Sequence, residues 1–288
     1  MHPHYHKQAA NPLSGYFRQA KYQTPLPSGG RWFPPGSVDW PASGELAVMP
    51  MTAKDEIALK TPDSLLNGQA TVDVIQSCIP AIKDAWQVSS IDLDTLLISI
   101  RVATYGKLME INPRCPKCSA PNDYQADLKE ALGHALACEW DSVTEVNGLK
   151  IHIRPLSYSE LTKKQLRTFE EQRFLDELSR SDLDEETKLK KFNEGFRKLN
   201  DLTMEIVMLS IHYIETPDGI IVDDRDLIED FMRNSGREVF NAVDEKLREN
   251  REKFILPPLL VVCTSCEHEW KQPMDFDNSN FFDLKSSS

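Results

Sequence analysis

Four cysteines occur as two Cys-x-x-Cys pairs, and thiols at this spacing can hold one metal ion. Cys115 and Cys118 lie in the stretch NPRCPKCSAP, and Cys263 and Cys266 lie in CTSCEHEW. Each pair follows a predicted strand and precedes an aromatic residue, which is typical of a zinc knuckle on a β-hairpin. Four thiolates suit tetrahedral Zn²⁺, a soft ion without redox chemistry. We therefore predict a structural Zn²⁺ site formed by these four cysteines.

The two pairs are far apart in the chain. The stretch between Cys118 and Cys263 has 144 residues, whereas compact zinc ribbons use about 15–20. Closing a flexible loop of this length costs roughly 4–5 kcal/mol, and a structural zinc site supplies about 10–16 kcal/mol. A folded insert lowers the cost further. The sequence therefore predicts a split zinc ribbon with a helical module inserted between its halves.

Other uses of the cysteines stay open at this point. A redox Cys-x-x-Cys opens a helix in a thioredoxin-like unit, and neither pair precedes a convincing helix. A four-iron, four-sulfur cluster also takes four cysteines, but nothing nearby indicates electron transfer. Disulfides are disfavoured because the first residues carry no apolar secretory signal, so we expect a reducing compartment. His268 could replace one ligand, but four thiols close the shell and leave no position for a catalytic water.

Composition bounds the function. The chain has 288 residues, is 40% hydrophobic and has a formal net charge of −12, which allows one large domain or two of ordinary size. An acidic protein is a poor binder of phosphate backbones, so we expect no nucleic-acid partner. No apolar run approaches the length of a membrane span. The sequence has no phosphate-binding glycine loop, nucleophile elbow or HExxH motif, and we predict that the protein is not an enzyme.

The first 50 residues differ from the rest. They contain eight of the eighteen prolines and seven of the aromatic residues. Proline blocks helices and central strands, whereas disordered linkers are normally poor in aromatics. The pattern indicates an extended arm that packs against a protein surface, either the core of its own chain or a neighbouring subunit. For the second case we predict five partner-binding anchors: Tyr16, Phe17, Trp32, Phe33 and Trp40.

Patterns along the chain predict a mainly helical α+β fold. The predicted segments are an extended arm (1–50), a helical block (51–110), the first zinc-ribbon half with hairpins (111–155), an inserted helical module (156–254), and the second zinc-ribbon half with a C-terminal tail (255–288). Within them we predict helices over 52–60, 61–68, 90–106, 159–178, 182–214, 224–234 and 236–253. Alternation predicts a strand over 124–128, and Asn147-Gly148 predicts a hairpin over 143–153.

Several segments resemble the T4-type phage baseplate hub family. They are NPLSGYFRQAKYQTPLPSGGRWFPPG at 11–36, PMTAKDEIALKTPDSLLNGQAT at 50–71, IDLDTLLISIRVATYG at 91–106, both cysteine pairs, and FDNSNFF at 276–282. The resemblance implies a hub subunit or a hub assembly factor of a contractile phage tail, with the cysteines as zinc knuckles. It also implies other hub and tail proteins as partners in a multi-subunit assembly. The protein would be made in the host cytoplasm and, if retained, would lie in the virion tail baseplate.

Two other functions compete with this interpretation. One is a zinc-ribbon regulator that binds nucleic acid, which would show salt-dependent binding to DNA or RNA. The other is a redox or metal enzyme, which would show thiol turnover or a catalytic metal. The predicted body is made rigid by zinc and carries an aromatic arm, and the sequence has no recognisable catalytic motif. These features favour a function as an assembly component over the two alternatives.

Overall fold

The computed structural model describes residues 13–59, 67–181 and 183–274. About half of these residues are helical, and the rest include short antiparallel strands. The helices described are α1 (Ala53–Leu59), α2 (Gln69–Cys78), α3 (Ser90–Tyr105), α4 (Leu128–Ala137), α5 (Tyr158–Ser179), α6 (Glu185–Ser210), α7 (Arg225–Asn234) and α8 (Arg237–Phe254). The predicted helix over 61–68 falls mainly on residues 60–66, outside the described part of the chain.

The strands of the described residues form four antiparallel sheets. They are β1 (Tyr22–Thr24), β2 (Leu46–Val48), β3 (Leu108–Ile111), β4 (Tyr124–Asp127), β5 (Val143–Val146), β6 (Leu149–Ile153), β7 (Ile211–Glu215), β8 (Ile221–Val222), β9 (Leu259–Val262) and β10 (Glu269–Gln272). The pairs β1–β2, β3–β4 and β9–β10 stand as two-stranded sheets, and β5-β6-β7-β8 form one sheet in that order.

The first hydrophobic core surrounds α3. Eleven of the sixteen residues of this helix are buried, as expected for a helix that is apolar on most sides. It ends at Gly106, whose φ of 93° lies in the left-handed region that glycine tolerates best. Helices α1, α2 and α4 and the β1–β2 pair contribute buried residues to the same core.

Most of the buried residues of the 18–50 segment lie in this first core, whereas Trp32 packs against the second. Arg18 donates hydrogen bonds to the carbonyl oxygens of Pro50 and Ser77 and forms an ion pair with Asp55 at 3.1 Å. Further along, Leu26 and Leu46 are buried in the core. From Arg18 onward, the proline-rich segment therefore packs largely against the body of its own chain.

The second hydrophobic core lies against the four-stranded sheet. Ile151, Ile153 and Ile211 are fully buried on one face of β6 and β7, where α7 and α8 contribute Ile228 and Val243. The predicted domain boundary after residue 155 falls between β6 and β7 of this sheet, so the sheet joins strands from both sides of that boundary.

Helices α5 and α6 form a long hairpin. Ser157 and Glu160 make a capping box at the start of α5, which satisfies N–H groups that the helix leaves free. The helices approach closely at Gly195, where a Cβ atom would lie 2.7 Å from Cδ2 of Leu175. Towards the tip of the hairpin Leu189 and Phe196 are exposed, whereas Leu202 is buried nearer the body.

Two element predictions are wrong in detail. The predicted helix over 182–214 ends at Ser210. Strand β7 follows, because residues 211–215 pair with β6 and bury Ile211 and Ile214 in the second core, with a shift in the β6–β7 register between them. The predicted strand over 124–128 stops at Asp127. The carboxylate of Asp127 accepts a hydrogen bond from the N–H of Lys129 at 3.0 Å and caps α4, so Leu128 begins a helix instead.

Candidate metal centre

Two β-hairpins carry the cysteine pairs. Cys115 and Cys118 lie in the connection between β3 and β4, and the register of this hairpin pairs Leu108 with Asp127. Cys263 and Cys266 lie in the connection between β9 and β10, where Glu269 pairs with Val262. Each pair therefore sits at the tip of a hairpin, where both thiols can turn to one side.

The two tips have the same backbone conformation. The N–H of Cys115 donates to the Ala120 carbonyl at 3.0 Å, and that of Ser119 donates to the Cys115 carbonyl at 2.9 Å. The second tip repeats these bonds five and four residues apart: Cys263 donates to His268 at 2.9 Å and Glu267 to Cys263 at 3.0 Å.

Further matches strengthen this likeness. The first cysteine of each tip accepts a backbone N–H at its sulfur, from Lys117 and from Ser265, both at 3.4 Å. The residue after the second cysteine of each tip, Ser119 or Glu267, has a φ near the left-handed region, at 59° and 57°. Hydrogen bonds to sulfur favour the thiolate, the form that binds metals.

The four sulfur atoms converge on one point. All lie within 4.8 Å of one another. Sγ of Cys115 lies 3.7 Å from Sγ of Cys266, and Sγ of Cys118 lies 3.6 Å from Sγ of Cys263. A disulfide needs about 2.05 Å, whereas a tetrahedron with Zn–S bonds of about 2.3 Å has edges of roughly 3.8 Å. The cluster therefore has the dimensions of a four-thiolate site that could hold a metal ion.

The thiol pKa values of Cys263 and Cys266 shift in opposite directions. Burial raises the pKa of Cys263, but hydrogen bonds from the N–H groups of Ser265 and Cys266 and from neighbouring thiols outweigh this, and its pKa falls to about 6. The N–H of His268 lowers the pKa of Cys266, but the adjacent thiols raise it to about 12. A thiolate at Cys263 thus disfavours ionisation of Cys266, and a bound cation would offset this repulsion.

Asn122 connects the two tips and is not among the predicted site residues. Its side chain is buried, and its Oδ1 accepts hydrogen bonds from the N–H and the hydroxyl of Thr264, at 2.8 Å and 3.2 Å. Its Nδ2 donates to the Ala120 carbonyl within the first tip at 3.0 Å. No local motif marks this residue, because its partner lies 142 positions further along the chain.

The remaining cysteines and His268 lie outside this cluster. Cys78 is buried in the first core, and burial raises the pKa of its thiol to about 12. Cys138 is half-buried, and its Sγ donates to the Lys253 carbonyl at 3.0 Å. The ring of His268 stacks on Trp270.

The five predicted partner-binding aromatics divide into two groups. Tyr16 and Phe17 are 87% and 57% exposed. Trp32 and Phe33 contact the body. Trp32 packs against the second core, edge-on to Trp140 with ring centroids 6.0 Å apart, and Phe33 packs against the first core. Phe33 also packs edge-on against Trp40 at 5.7 Å. Trp40 covers Gly30, where a Cβ atom would lie 2.6 Å from its ring, and is 41% exposed.

A family model described as the T4 bacteriophage base plate protein matches residues 19–283 of this chain. The match covers most of the sequence and includes both hairpin tips, all four clustered cysteines and both cores. The chain belongs to this family. As a T4-type base plate protein it is indicated to be a structural component of the phage tail baseplate, and hence part of a multi-subunit assembly in the virion.

Other comparisons add nothing to the family assignment. No curated protein and no solved structure shows significant similarity to the chain. Within the part of the chain that the structure describes, no helix of this base plate protein is both long and apolar enough to cross a membrane. A family of baseplate structural proteins also indicates a role other than catalysis.

Proposed function

We propose that this base plate protein is a hub component or hub assembly factor whose body is held together by one structural Zn²⁺. Cys115, Cys118, Cys263 and Cys266 are its ligands, and the β3–β4 and β9–β10 hairpins are the halves of a split zinc ribbon. The observation that carries the proposal is the convergence of four sulfurs, from segments 145 residues apart, within 4.8 Å. Such convergence closes a very long loop of the chain with a single ion.

The role of the ion is structural. Four protein ligands fill a tetrahedral shell, so no position remains for a reacting water. Cys115 and Cys263 are buried, Cys266 is partly buried and Cys118 is exposed, so the ion would lie at the junction of the two hairpins with one ligand on the solvent side. The ion would link the segment after β3 to the segment after β9. This link would restrict the relative movement of the helices that lie between them in the chain.

The arm supplies the docking part of the proposal. Arg18 fixes the chain to the body through Pro50, Ser77 and Asp55, and the residues just before it turn outward. Tyr16 and Phe17 then present exposed aromatic side chains from a fixed point, and aromatic residues are enriched among the anchors of protein interfaces. Trp32 and Phe33 would act indirectly, by holding the arm on the body.

Metal analysis tests the zinc proposal. Protein purified under reducing conditions should contain one zinc ion per chain, as measured by elemental mass spectrometry. Substitution with Co²⁺ should give the intense visible absorption of tetrahedral thiolate coordination. A preparation without stoichiometric metal, or one whose Co²⁺ spectrum indicates octahedral oxygen ligands, would remove the zinc site from the proposal.

Phage assembly tests the docking proposal. The variant Tyr16→Ala/Phe17→Ala should fold normally, since both side chains are exposed, but should fail to support the formation of complete baseplates. Ile220→Ala is the matched control, because Ile220 is also exposed, at 57%, and lies in the β7–β8 turn. Full complementation by the double variant would refute docking through the arm. Mass spectrometry of purified particles then separates a retained hub subunit from an assembly factor.

A further inference from the structure

A groove with mainly apolar walls runs between the two cores. Its first part has a volume of about 390 Å³ and lies between the start of α3 and the ends of α4 and α8. A second part, also about 390 Å³, lies between α5 and α6. Leu156, Lys164 and Ile206 line both parts, so the two parts adjoin, and together they are called the groove. Its size is that of a binding site for a peptide or a small ligand.

The rim of this groove carries an excess of positive charge. Lys163, Lys164, Arg167 and Arg251 line it. Burial and the charge of Arg251 lower the pKa of Lys164, and Asp244 offsets this only in part. An anionic partner would stabilise the charged form of a lysine in this position.

The acidic residues on the rim do not balance these cations. Glu205 forms an ion pair with Arg167 at 2.6 Å. Glu160 forms one with Arg154 at 2.7 Å. Asp94 also lines the groove and Asp244 acts on Lys164, so two carboxylates stand against the three cations Lys163, Lys164 and Arg251. The groove therefore suits a segment that combines apolar side chains with carboxylates.

The chain itself supplies such a segment. Residues 275–283 read DFDNSNFFD, with three aspartates, three phenylalanines and no lysine or arginine. They lie outside the described residues, but the residue before them, Met274, lines the groove and packs against the first core. The family match extends to residue 283, so the segment belongs to the part of the chain that the family shares.

We propose that the groove binds residues 275–283 of the same chain, with phenylalanine side chains as anchors and aspartates against Lys164 and Arg251. The segment starts at the edge of the groove, so binding is intramolecular and its effective concentration is in the millimolar range. Nine extended residues span up to about 30 Å, so each phenylalanine can reach the apolar walls. The proposal is independent of the metal centre.

Photo-cross-linking in the full chain tests the proposal. A benzophenone analogue of phenylalanine is placed at position 281, the protein is irradiated at low micromolar concentration, and adducts are mapped by mass spectrometry. We expect adducts within residues 156–167, 202–209 and 247–256, in protein that runs at monomer mass. The same probe at position 220, in an exposed turn, should leave those residues unlabelled.

Two outcomes would overturn the proposal. Adducts that map mainly to other parts of the body would show that residues 275–283 do not bind the groove. Adducts found only in covalent dimers, with a yield that rises with protein concentration, would assign the groove to the segment of a second copy.

A charge exchange sharpens the test. Lys164→Glu should lower the yield of groove adducts roughly fivefold or more, whereas Lys191→Glu, near the exposed start of α6, should leave it unchanged. Adding Asp277→Lys to Lys164→Glu should restore the yield, which a general loss of folding could not do. A yield that is the same in all these variants would contradict the role assigned to Lys164.

Discussion

Replacing Asn122 by alanine should weaken metal binding although no ligand is changed. The side chain of Asn122 accepts two hydrogen bonds from Thr264 on the second tip and donates one to Ala120 on the first. It is the direct polar link between two hairpins whose cysteines must share one ion. Without it, the positions of the four sulfurs are less well fixed before the metal binds.

The hydrogen bonds give the size of the effect. Each contributes about 0.5–1.5 kcal/mol, and water can replace part of those to Thr264, which is exposed. The free energy of unfolding should therefore fall by about 1–3 kcal/mol. Substituting a residue that orients metal ligands through hydrogen bonds typically lowers metal affinity about 10–100-fold. We expect the zinc affinity of Asn122→Ala to fall by an amount in that range.

The assay is competition between the protein and a chromophoric chelator of known zinc affinity. The matched control is Asn112→Ala, because Asn112 lies on the same hairpin but is exposed and bonds only to Asp123 within it. Asn122→Asp keeps the acceptor for Thr264 and should recover part of the affinity. The Co²⁺ spectrum should stay tetrahedral in every variant, since the ligands are intact.

An unchanged zinc affinity in Asn122→Ala, alongside a loss of stability, would refute this reasoning and reduce Asn122 to a packing residue. An equal loss of affinity in Asn112→Ala would refute it too, because the link between the tips would then not be the cause.

Three further predictions concern other polar groups. Cys266→Ser should abolish stoichiometric zinc, measured by elemental analysis, whereas Cys138→Ser should keep it, because Cys138 lies outside the cluster. Asp92→Asn should stabilise the protein by on the order of 1 kcal/mol at pH 8, measured by urea unfolding, because burial raises the pKa of Asp92 to about 6. Arg18→Ala should lower the free energy of unfolding by about 2–4 kcal/mol, because it removes several partly buried hydrogen bonds and the ion pair with Asp55.

The sign of the Asp92 effect follows from its raised pKa. The folded protein binds this proton more tightly than the unfolded chain does, so stability is greatest below pH about 4 and declines as pH rises through about 6. Asparagine mimics the neutral acid and still accepts the hydrogen bond from the N–H of Ser28. The variant should thus lose this decline between pH 4 and 6, and an unaltered pH profile would contradict the assignment.

Controls for the other two predictions are available in the same chain. Loss of zinc from both cysteine variants would point to unfolding rather than to a missing ligand, and circular dichroism at 222 nm would reveal it. For Arg18, the conservative variant Arg18→Lys should be nearly as unstable as Arg18→Ala, since one ammonium group cannot reach Pro50, Ser77 and Asp55 together. Wild-type stability in both would show that the arm is held elsewhere.

Local signals in the sequence were sufficient for many elements. Asn147-Gly148 predicts the β5–β6 turn, and Gly106 marks the end of α3, because both depend on backbone conformations that few residues tolerate. The long helices α5 and α8 follow from their own periodicity and caps. The end of α6 was missed, because the change to a strand at Ile211 depends on pairing with β6, which lies far away in the chain.

The sequence by itself determined which residues can bind a metal, since thiol chemistry and the Cys-x-x-Cys spacing are local properties. It also determined the two hairpin tips, whose bonds span only a few residues. Only the tertiary structure decided that the two tips meet, that Asn122 joins them, and that Trp32 and Phe33 turn inward while Tyr16 and Phe17 turn outward. The physical reason is that local hydrogen bonds and dihedral preferences are set by neighbours in the chain, whereas burial and long-range pairing depend on the packing of the whole protein.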